Sequence, residues 1–147
     1  MKLKNFFLCL TMGAMAMLNT SCGDDDLKPS EVPAAVMATF QEMFPSTTAK
    51  WEKEKNGQIK AEFRIDYREM EAWFQKDGTW VMTKKDMLAS ELPQAALDYL
   101  NSNYGGVEID DVDWVETPES NYYIVELDRN NKKDIYLKFT ETGEFVQ

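Results

Sequence analysis

The chain has few of the side chains on which enzymes rely for catalysis. Histidine is absent from its 147 residues, and the only cysteines are Cys9 and Cys22. Serine–histidine and cysteine–histidine nucleophiles and histidine-ligated zinc are therefore excluded. The sequence also contains no glycine-rich phosphate-binding loop. We predict no catalytic residue, no cofactor and no enzymatic activity.

Paired acidic residues are the remaining candidates for chemistry. Asp111 and Asp113 are two positions apart, as are Glu69 and Glu71, so each pair points to one side of a strand. Two such carboxyl groups are the machinery of glycoside hydrolysis. A strongly acidic chain contains many such pairs by chance, however. We interpret both pairs as solvated surface.

One acidic cluster has the oxygen ligands that calcium prefers. The stretch EIDDVD, from Glu108 to Asp113, contains four carboxylates. It lacks the central glycine and the closing glutamate of an EF-hand loop. We assign no metal site, and weak calcium binding at this stretch stays open.

The amino-terminal segment has the layout of an export signal. Lys2 and Lys4 precede an apolar run from Phe6 to Leu18, and small residues follow before Cys22. The run is shorter than the roughly 20 residues that a membrane-spanning helix needs. Residues 1–21 are therefore predicted to be a cleaved signal peptide.

The sequence LNTSC at the end of this signal resembles a lipobox, the processing site of bacterial lipoproteins. The resemblance implies that Cys22 becomes the first residue and is acylated. An acidic run such as Asp24–Asp26 is common in surface lipoproteins of Bacteroidota. We predict a surface-exposed outer-membrane lipoprotein with an acidic tether at residues 22–29. The alternative is an ordinary cleaved secretory signal, and the membrane leaflet stays open.

The charge of the chain limits its partners. Removal of residues 1–21 leaves 14 basic and 26 acidic residues, a net charge of −12. Such a chain repels polyphosphate, which excludes nucleic acid as a partner. It is also repelled by anionic lipid, so membrane attachment must come from the lipid anchor alone, with more than one acyl chain.

Two stretches of the chain repeat each other. SEVPAAVMATFQEMF at 30–44 and SELPQAALDYLNSNY at 90–104 both place apolar residues at every fourth position, which predicts two amphipathic helices. Ser30 and Ser90 are the predicted N-caps.

Four predicted strands follow each helix. The strands are expected at 49–55, 58–66, 69–76 and 79–83, then at 109–117, 121–128, 133–140 and 143–146, with 84–89 as the connector. Asp77-Gly78 is typical of a two-residue hairpin loop. One helix with four strands is too small to fold alone. We therefore predict an α+β fold in which a tandem duplication of a helix plus four antiparallel strands forms one continuous sheet, with both helices on one face. The repeats are 30–83 and 90–147.

These shared motifs resemble a known family. S-E-x-P begins each helix, a tryptophan opens each first strand, and D-G-x-W at 77–80 ends the first unit. The pattern resembles the PepSY-like, β-lactamase-inhibitor-like family of secreted Bacteroidota proteins over 30–147. Two such units also resemble β-lactamase inhibitory protein, which binds its enzyme with the concave, helix-free side of its sheet. The disulfide cysteines of that inhibitor are absent here. The resemblance implies a place for binding but no target.

Strand alternation and hairpin pairing predict which side chains point away from the helices. Trp80 is assigned to this side because a two-residue loop at Asp77-Gly78 would pair it with Gln75. The predicted outward-facing set is Lys60, Arg64, Trp73, Trp80, Met82, Tyr122, Ile124, Tyr136 and Phe145.

Large aromatic residues on an open sheet face are typical of a docking surface. We predict that this face binds a protein or peptide, with inhibition of a hydrolase as one form of such binding. Three alternatives stay open: the rings cover cross-strand neighbours, the face forms a homodimer, or the protein is a glycan-binding accessory of the envelope. The sequence identifies neither the partner nor the oligomeric state.

Overall fold

The fold of this protein, taken from a computed structural model, is described for residues 25–129 and 132–146. The predicted signal peptide and Cys22 lie outside the described residues. Nine strands form one antiparallel sheet in which each strand pairs with the next along the chain. Their bounds are β1 Asp26–Leu27, β2 Lys50–Lys53, β3 Ile59–Ile65, β4 Arg68–Phe74, β5 Trp80–Asp86, β6 Glu108–Glu116, β7 Asn121–Asp128, β8 Ile135–Thr140 and β9 Phe145–Val146. The helices are α1 Ala34–Met43 and α2 Gln94–Tyr104.

The predicted α+β class and the single antiparallel sheet are confirmed. Two segments that were predicted outside the sheet belong to it. Asp26 and Leu27, which were expected in the tether, form an edge strand that pairs with β2. β5 continues to Asp86, so the expected connector at 84–89 is partly sheet.

A short 3-10 turn precedes each helix, and the S-E-x-P motif that both repeats share forms part of it. The Glu31 carboxylate accepts the backbone N–H of Lys28 at 2.8 Å. The Glu91 carboxylate accepts the backbone N–H of Leu88 at 2.8 Å. The glutamate of each S-E-x-P motif therefore closes the turn on itself.

The helices begin after the prolines of these motifs. Pro33 and Pro93 are the N-cap residues, and neither serine hydroxyl caps a helix. Ser30 and Ser90 instead lie inside the 3-10 turns. The predicted N-caps are wrong because the extended backbone that proline imposes on its predecessor delays the helix until after the proline.

The apolar side chains form one core under each helix. The first core contains Val32, Val36, Phe40, Trp51, Ile59, Ala61, Phe63, Ala72 and Phe74. The second contains Leu92, Ala96, Leu100, Val112, Val125, Leu127, Leu137 and Phe139.

Strand register places both cores on the same side of the sheet. Met70, which packs against the first core, pairs with Lys85 on β5. Lys85 pairs with Trp114, Trp114 with Tyr123, and Tyr123 with Phe139 of the second core. Directly paired residues share a face. Both helices therefore lie on one face of the sheet.

A turn glycine contacts the first turn of each helix. A Cβ atom at Gly78 would lie 2.8 Å from the carbonyl oxygen of Ala35, and one at Gly143 would lie 2.8 Å from the Cβ of Pro93. Both glycines have positive φ, 92° and 88°. Only glycine satisfies the backbone angle and this close approach together.

Candidate functional site

The helix-free face of the sheet is the surface on which the predicted site residues were expected. We call it the outer face. It consists of the alternate side chains of β2 to β8 that point away from both cores. Register defines two of its rows: Lys60, Trp73 and Met82, and next to it Glu62, Glu71, Lys84, Val115 and Tyr122.

The structure brings seven of the nine predicted residues to the outer face. Trp80 and Phe145 are the exceptions. The seven are Lys60, Arg64, Trp73, Met82, Tyr122, Ile124 and Tyr136.

The loop between β4 and β5 explains why Trp80 is not among them. The N–H of Gln75 donates to the carbonyl of Thr79 at 2.8 Å, and the N–H of Gly78 donates to the carbonyl of Gln75 at 2.9 Å. The loop therefore contains three residues, 76–78, with glycine in the left-handed position. The two-residue loop predicted at Asp77-Gly78 is wrong.

The extra loop residue moves Trp80 to the helix side of the sheet. Trp80 pairs with Phe74 and packs against the first core. Its indole Nε1–H donates to Thr83 Oγ1 at 3.0 Å. A β-bulge then restores the expected pairing of Trp73 with Met82. The predicted outward orientation of Trp80 is therefore wrong, whereas that of Trp73 holds.

Phe145 is on the helix side for the same reason. The N–H of Thr140 donates to the carbonyl of Glu144 at 2.8 Å, which closes a second three-residue loop. Phe145 pairs with Phe139 and stacks on Tyr99 of α2, with ring centroids 4.5 Å apart. Its predicted outward orientation is also wrong.

Two of the three aromatic rings on the outer face, Trp73 and Tyr122, are covered, and Tyr136 is half-buried. Trp73 is 3% exposed and Tyr122 is 4% exposed. The ammonium group of Lys138 lies 3.6 Å from the centre of the Tyr122 ring. Lys60 and Met82 are the direct neighbours of Trp73 on the adjacent strands. The expectation of exposed rings is therefore wrong for Trp73 and Tyr122, which have long side chains as neighbours on the adjacent strands.

A buried lysine organises the charges of the first half of this face. The Lys60 ammonium lies 2.8 Å from Glu52, 2.6 Å from Glu62 and 3.6 Å from Glu71, and its side chain is 8% exposed. Burial alone would lower the pKa of Lys60, but the carboxylates raise it above its usual range. Lys60 is therefore a fixed positive charge.

The charges continue across the junction of the two halves. The Lys84 ammonium lies 2.8 Å from Asp113 and 3.7 Å from Glu71. Burial raises the pKa of Asp113 to about 6 against the lowering effect of Lys84, and nearby Asp111 and Glu71 contribute to the rise. We call the alternating series Glu52, Lys60, Glu71, Lys84 and Asp113 the charge ladder; it runs from β2 to β6.

An open groove follows the charge ladder. Its volume is about 540 Å³. Six carboxylates and three cations line it together with two apolar residues: Glu62, Glu69, Glu71, Asp86, Asp111, Asp113, Lys50, Arg64, Lys84, Phe63 and Met70. Both acidic pairs noted in the sequence are among them.

The acidic residues of the groove do not form a cluster of metal ligands among the described residues. Within residues 25–129 and 132–146, no three carboxylate, histidine or cysteine side chains converge on a point that could hold a cation. Two of these acids pair with cations that also line the groove: Glu69 with Arg64, and Asp113 with Lys84. Such an arrangement presents fixed charges of both signs to a partner.

Sequence reasoning missed two residues of this surface. Lys84 was placed in the connector because its pairing partner, Val115 of β6, is distant along the chain. Tyr67 was not considered at all. It lies in the β3–β4 turn and is fully exposed. The available signal was a tyrosine at a predicted turn that contains no glycine.

Comparison with known families gives one match. The family model described as "Putative beta-lactamase-inhibitor-like, PepSY-like" matches residues 57–147. The comparison with curated proteins gives no match.

Solved structures from Bacteroides have the same fold. A BLIP-like protein from Bacteroides fragilis is 30% identical, with a TM-score of 0.68 over 82% of this chain and 85% of that one. A DUF2874 family protein from Bacteroides uniformis is 27% identical, with a TM-score of 0.72 over 78% and 86%. One of the "putative periplasmic proteins" of Bacteroides eggerthii is 22% identical, with a TM-score of 0.72 over 79% and 86%.

The helices of this protein are short. Among the described residues, neither the 10 residues of α1 nor the 11 residues of α2 form a helix long and apolar enough to cross a membrane.

Proposed function

Because this chain belongs to the PepSY-like, β-lactamase-inhibitor-like family, we propose that it is a non-enzymatic module that binds a protein or peptide on its outer face. The family is the one predicted from the repeated motifs. Its members are inhibitor-like or of unknown function and do not form a known enzyme family. Inhibition of a hydrolase is the form of binding that the family description favours.

The charge ladder is the observation that supports this proposal most directly. It holds five charged side chains in fixed positions on a face that neither helix covers. Side chains that are already ordered lose little entropy when a partner binds, and fixed charges select partners of complementary pattern. A folded protein that needed only solubility would not require buried, mutually oriented charges.

The two most deeply covered rings of the outer face and Trp80 give the glycan alternative less support than the sequence suggested. Stacking on sugar needs exposed rings, but Trp73 and Tyr122 are 3% and 4% exposed and Trp80 packs on the helix side. The hydroxyl of Tyr136 already donates to Glu126 at 2.6 Å. The mixed charges of the outer face favour a protein or peptide partner.

The location of the protein in the cell envelope is part of the same proposal. We propose that residues 1–21 are removed, that Cys22 carries the lipid anchor, and that the folded domain is displayed on the outer membrane. A description of one structural relative as periplasmic agrees with a location in the envelope. Mass spectrometry of the protein from detergent extracts tests the anchor: an acylated peptide beginning at Cys22 is expected, and an unmodified amino terminus would contradict it.

We also propose that the two halves derive from a duplicated unit. Each has a turn closed by a glutamate, a helix that begins after a proline, and a turn glycine against that helix. The shared details concern backbone geometry, which a common ancestor explains more simply than independent origin.

A charge swap on the outer face tests the binding proposal. Arg64 and Glu69 form an exposed ion pair beside the groove. The double variant Arg64→Glu, Glu69→Arg keeps the net charge and the pair but inverts its direction. We expect it to lose capture of partner proteins from envelope extract, and any inhibition of a purified β-lactamase. Glu42→Lys, on exposed α1, is the control that should retain both. Identical capture by the swapped variant and the native chain would contradict docking on this face.

A further inference from the structure

The tip of the β3–β4 hairpin presents a single tyrosine to solvent. Tyr67 is 101% exposed, whereas the other large hydrophobic residues classed as exposed, Met43 and Leu88, are 36% and 60% exposed. Among the described residues, no other large apolar side chain is displayed so completely. Tyr67 therefore contributes no buried area to the fold.

The backbone at Tyr67 also costs free energy. Asp66 and Tyr67 have φ of 51° and 68°, and they connect the paired residues Ile65 and Arg68 as a two-residue loop. Such loops favour asparagine and glycine because both central residues have positive φ. A bulky residue with positive φ is an outlier, and strained backbone of this kind is concentrated at functional sites. Folding therefore gives no reason for a tyrosine at this position.

The hairpin holds the backbone of Tyr67 in a fixed position. β3 and β4 are paired at seven positions up to the turn. The Arg68 guanidinium lies 2.7 Å from the Glu91 carboxylate, which ties the base of the turn to the second half of the molecule. A residue whose backbone is already ordered loses less backbone entropy when a partner binds.

These observations point to a specific role at the binding surface. We propose that Tyr67 is the anchor residue that inserts into a concave site of a positively charged partner protein. The inference rests on the proposed binding function and names the residue and the partner's chemistry. Tyrosine has a large contact area and few rotors to immobilise, and it is enriched among the residues that dominate binding energy.

The charge of the molecule decides which kind of partner fits. The chain carries a net charge of −10, and the groove beside the hairpin is lined by six carboxylates and three cations. Two copies of this chain would therefore repel each other. A partner with a basic rim around its cleft would be attracted to the hairpin and its groove.

Photo-crosslinking at the tip tests the inference in the full-length protein on intact cells. A photo-reactive phenylalanine analogue is placed at position 67 and, as control, at exposed Glu119 in the β6–β7 loop, at the opposite end of the strands. We expect an adduct from position 67 with a protein of basic isoelectric point, and none from position 119. The adducted partner is then purified, and its affinity is measured for the native chain and for Tyr67→Ala, Tyr67→Phe and Glu119→Ala.

We expect Tyr67→Ala to weaken the affinity at least tenfold, and Tyr67→Phe and Glu119→Ala to change it much less. The melting temperature of Tyr67→Gly should equal or exceed that of the native chain, because glycine relieves the strained backbone. No adduct at position 67, an adduct with a second copy of this chain or with an acidic protein, or an affinity unchanged in Tyr67→Ala would overturn the inference. If the outer-face swap abolishes binding while Tyr67→Ala does not, only this inference fails; if neither variant matters, the proposed function fails as well.

Discussion

The two halves of the sheet agree on the side that faces the helices and differ on the side that faces away. On the helix side, Phe74 and Phe139 are both fully buried, and Gly78 and Gly143 each contact the first turn of a helix. A packed core tolerates few changes in volume. The helix side therefore has little freedom to vary.

The outer faces of the two halves use different chemistry at matching positions. In the first half, Glu62 pairs across the strands with Glu71, and Lys60 compensates both. In the second half, the corresponding pair is Glu126 with Tyr136, joined by a neutral donor at 2.6 Å. Burial and Glu126 both raise the pKa of Tyr136.

The position of one lysine shows the same contrast between the two halves. Lys60 and Trp73 are cross-strand partners in the first half, and Ile124 and Lys138 occupy the matching positions in the second. The cation and the apolar residue have exchanged strands. The difference teaches that the layout shared by the two halves fixes the helix side more closely than the outer face, where the two halves place their charges differently.

The largest expected effect tests whether the two cores are equivalent. Phe74→Ala and Phe139→Ala should each lower the free energy of unfolding by about 3–5 kcal/mol, because each removes a fully buried ring. Urea denaturation measures both. Glu42→Ala on the exposed face of α1 is the control and should change it by less than about 0.5 kcal/mol. A loss in only one of the two phenylalanine variants would show that the two cores are not equivalent.

The turn glycines are expected to have the next largest effect. Gly78→Ala and Gly143→Ala should each cost about 2–4 kcal/mol, since each combines a positive φ with a clash against the helix. Gly57→Ala is the matched control, with φ of 86° and no atom within 4 Å of the added Cβ; it should cost only about 1 kcal/mol. Equal losses at Gly57 and Gly78 would mean that helix contact contributes nothing.

Variants of the outer face should lower stability by different amounts in the two halves. Lys60→Met leaves the carboxylates around it without their cation, and a loss of about 2 kcal/mol at pH 7 is expected, smaller than for a fully buried pair because the acids are partly exposed. Tyr136→Phe removes one neutral hydrogen bond and should cost about 1 kcal/mol. Lowering the pH to 4 should relieve the Lys60→Met loss but not the Tyr136→Phe loss. A larger loss of stability in Tyr136→Phe than in Lys60→Met at pH 7 would contradict the difference that we assign to the two halves.

The smallest effect concerns the junction of the halves. The pKa of Asp113 is raised to about 6, mainly by burial, above the value of about 3.9 expected in the unfolded chain. The folded state therefore binds the proton more tightly, and the contribution of Asp113 to stability is lost as the pH rises from about 4 to about 6. Carbon NMR of the Asp113 carboxyl should give a midpoint near 6, and Lys84→Met should raise it further. A midpoint near 4 in the native chain would contradict the burial of Asp113.

Local signals in the sequence predicted much of this fold. The fourfold apolar spacing of 30–44 and 90–104 predicted both helices, and alternation predicted eight of the nine strands. The two-residue strand at Asp26–Leu27 was missed because so short an edge has no pattern of its own. Ser30 and Ser90 were misassigned as caps because the glutamate-closed turn has no periodic signature.

The candidate site was predicted less well than the fold. The loop at Asp77-Gly78 was predicted to contain two residues, but it contains three. A shift of one residue places the side chains of a strand on the opposite face of the sheet. The same miscount misplaced Phe145. The position of Trp73 on the outer face was predicted correctly, but its burial was not.

The amino-acid sequence by itself determined the class of fold, the order of its elements and the absence of histidine-based catalysis, because these follow from composition and from patterns of neighbouring positions. Only the tertiary structure decided that Trp80 packs under a helix, that Trp73 is covered, and that Lys60 and Lys84 belong to one ladder of charges. Those features depend on pairing between strands that are distant along the chain, where one added loop residue or one long side chain from a neighbouring strand changes what a partner can reach.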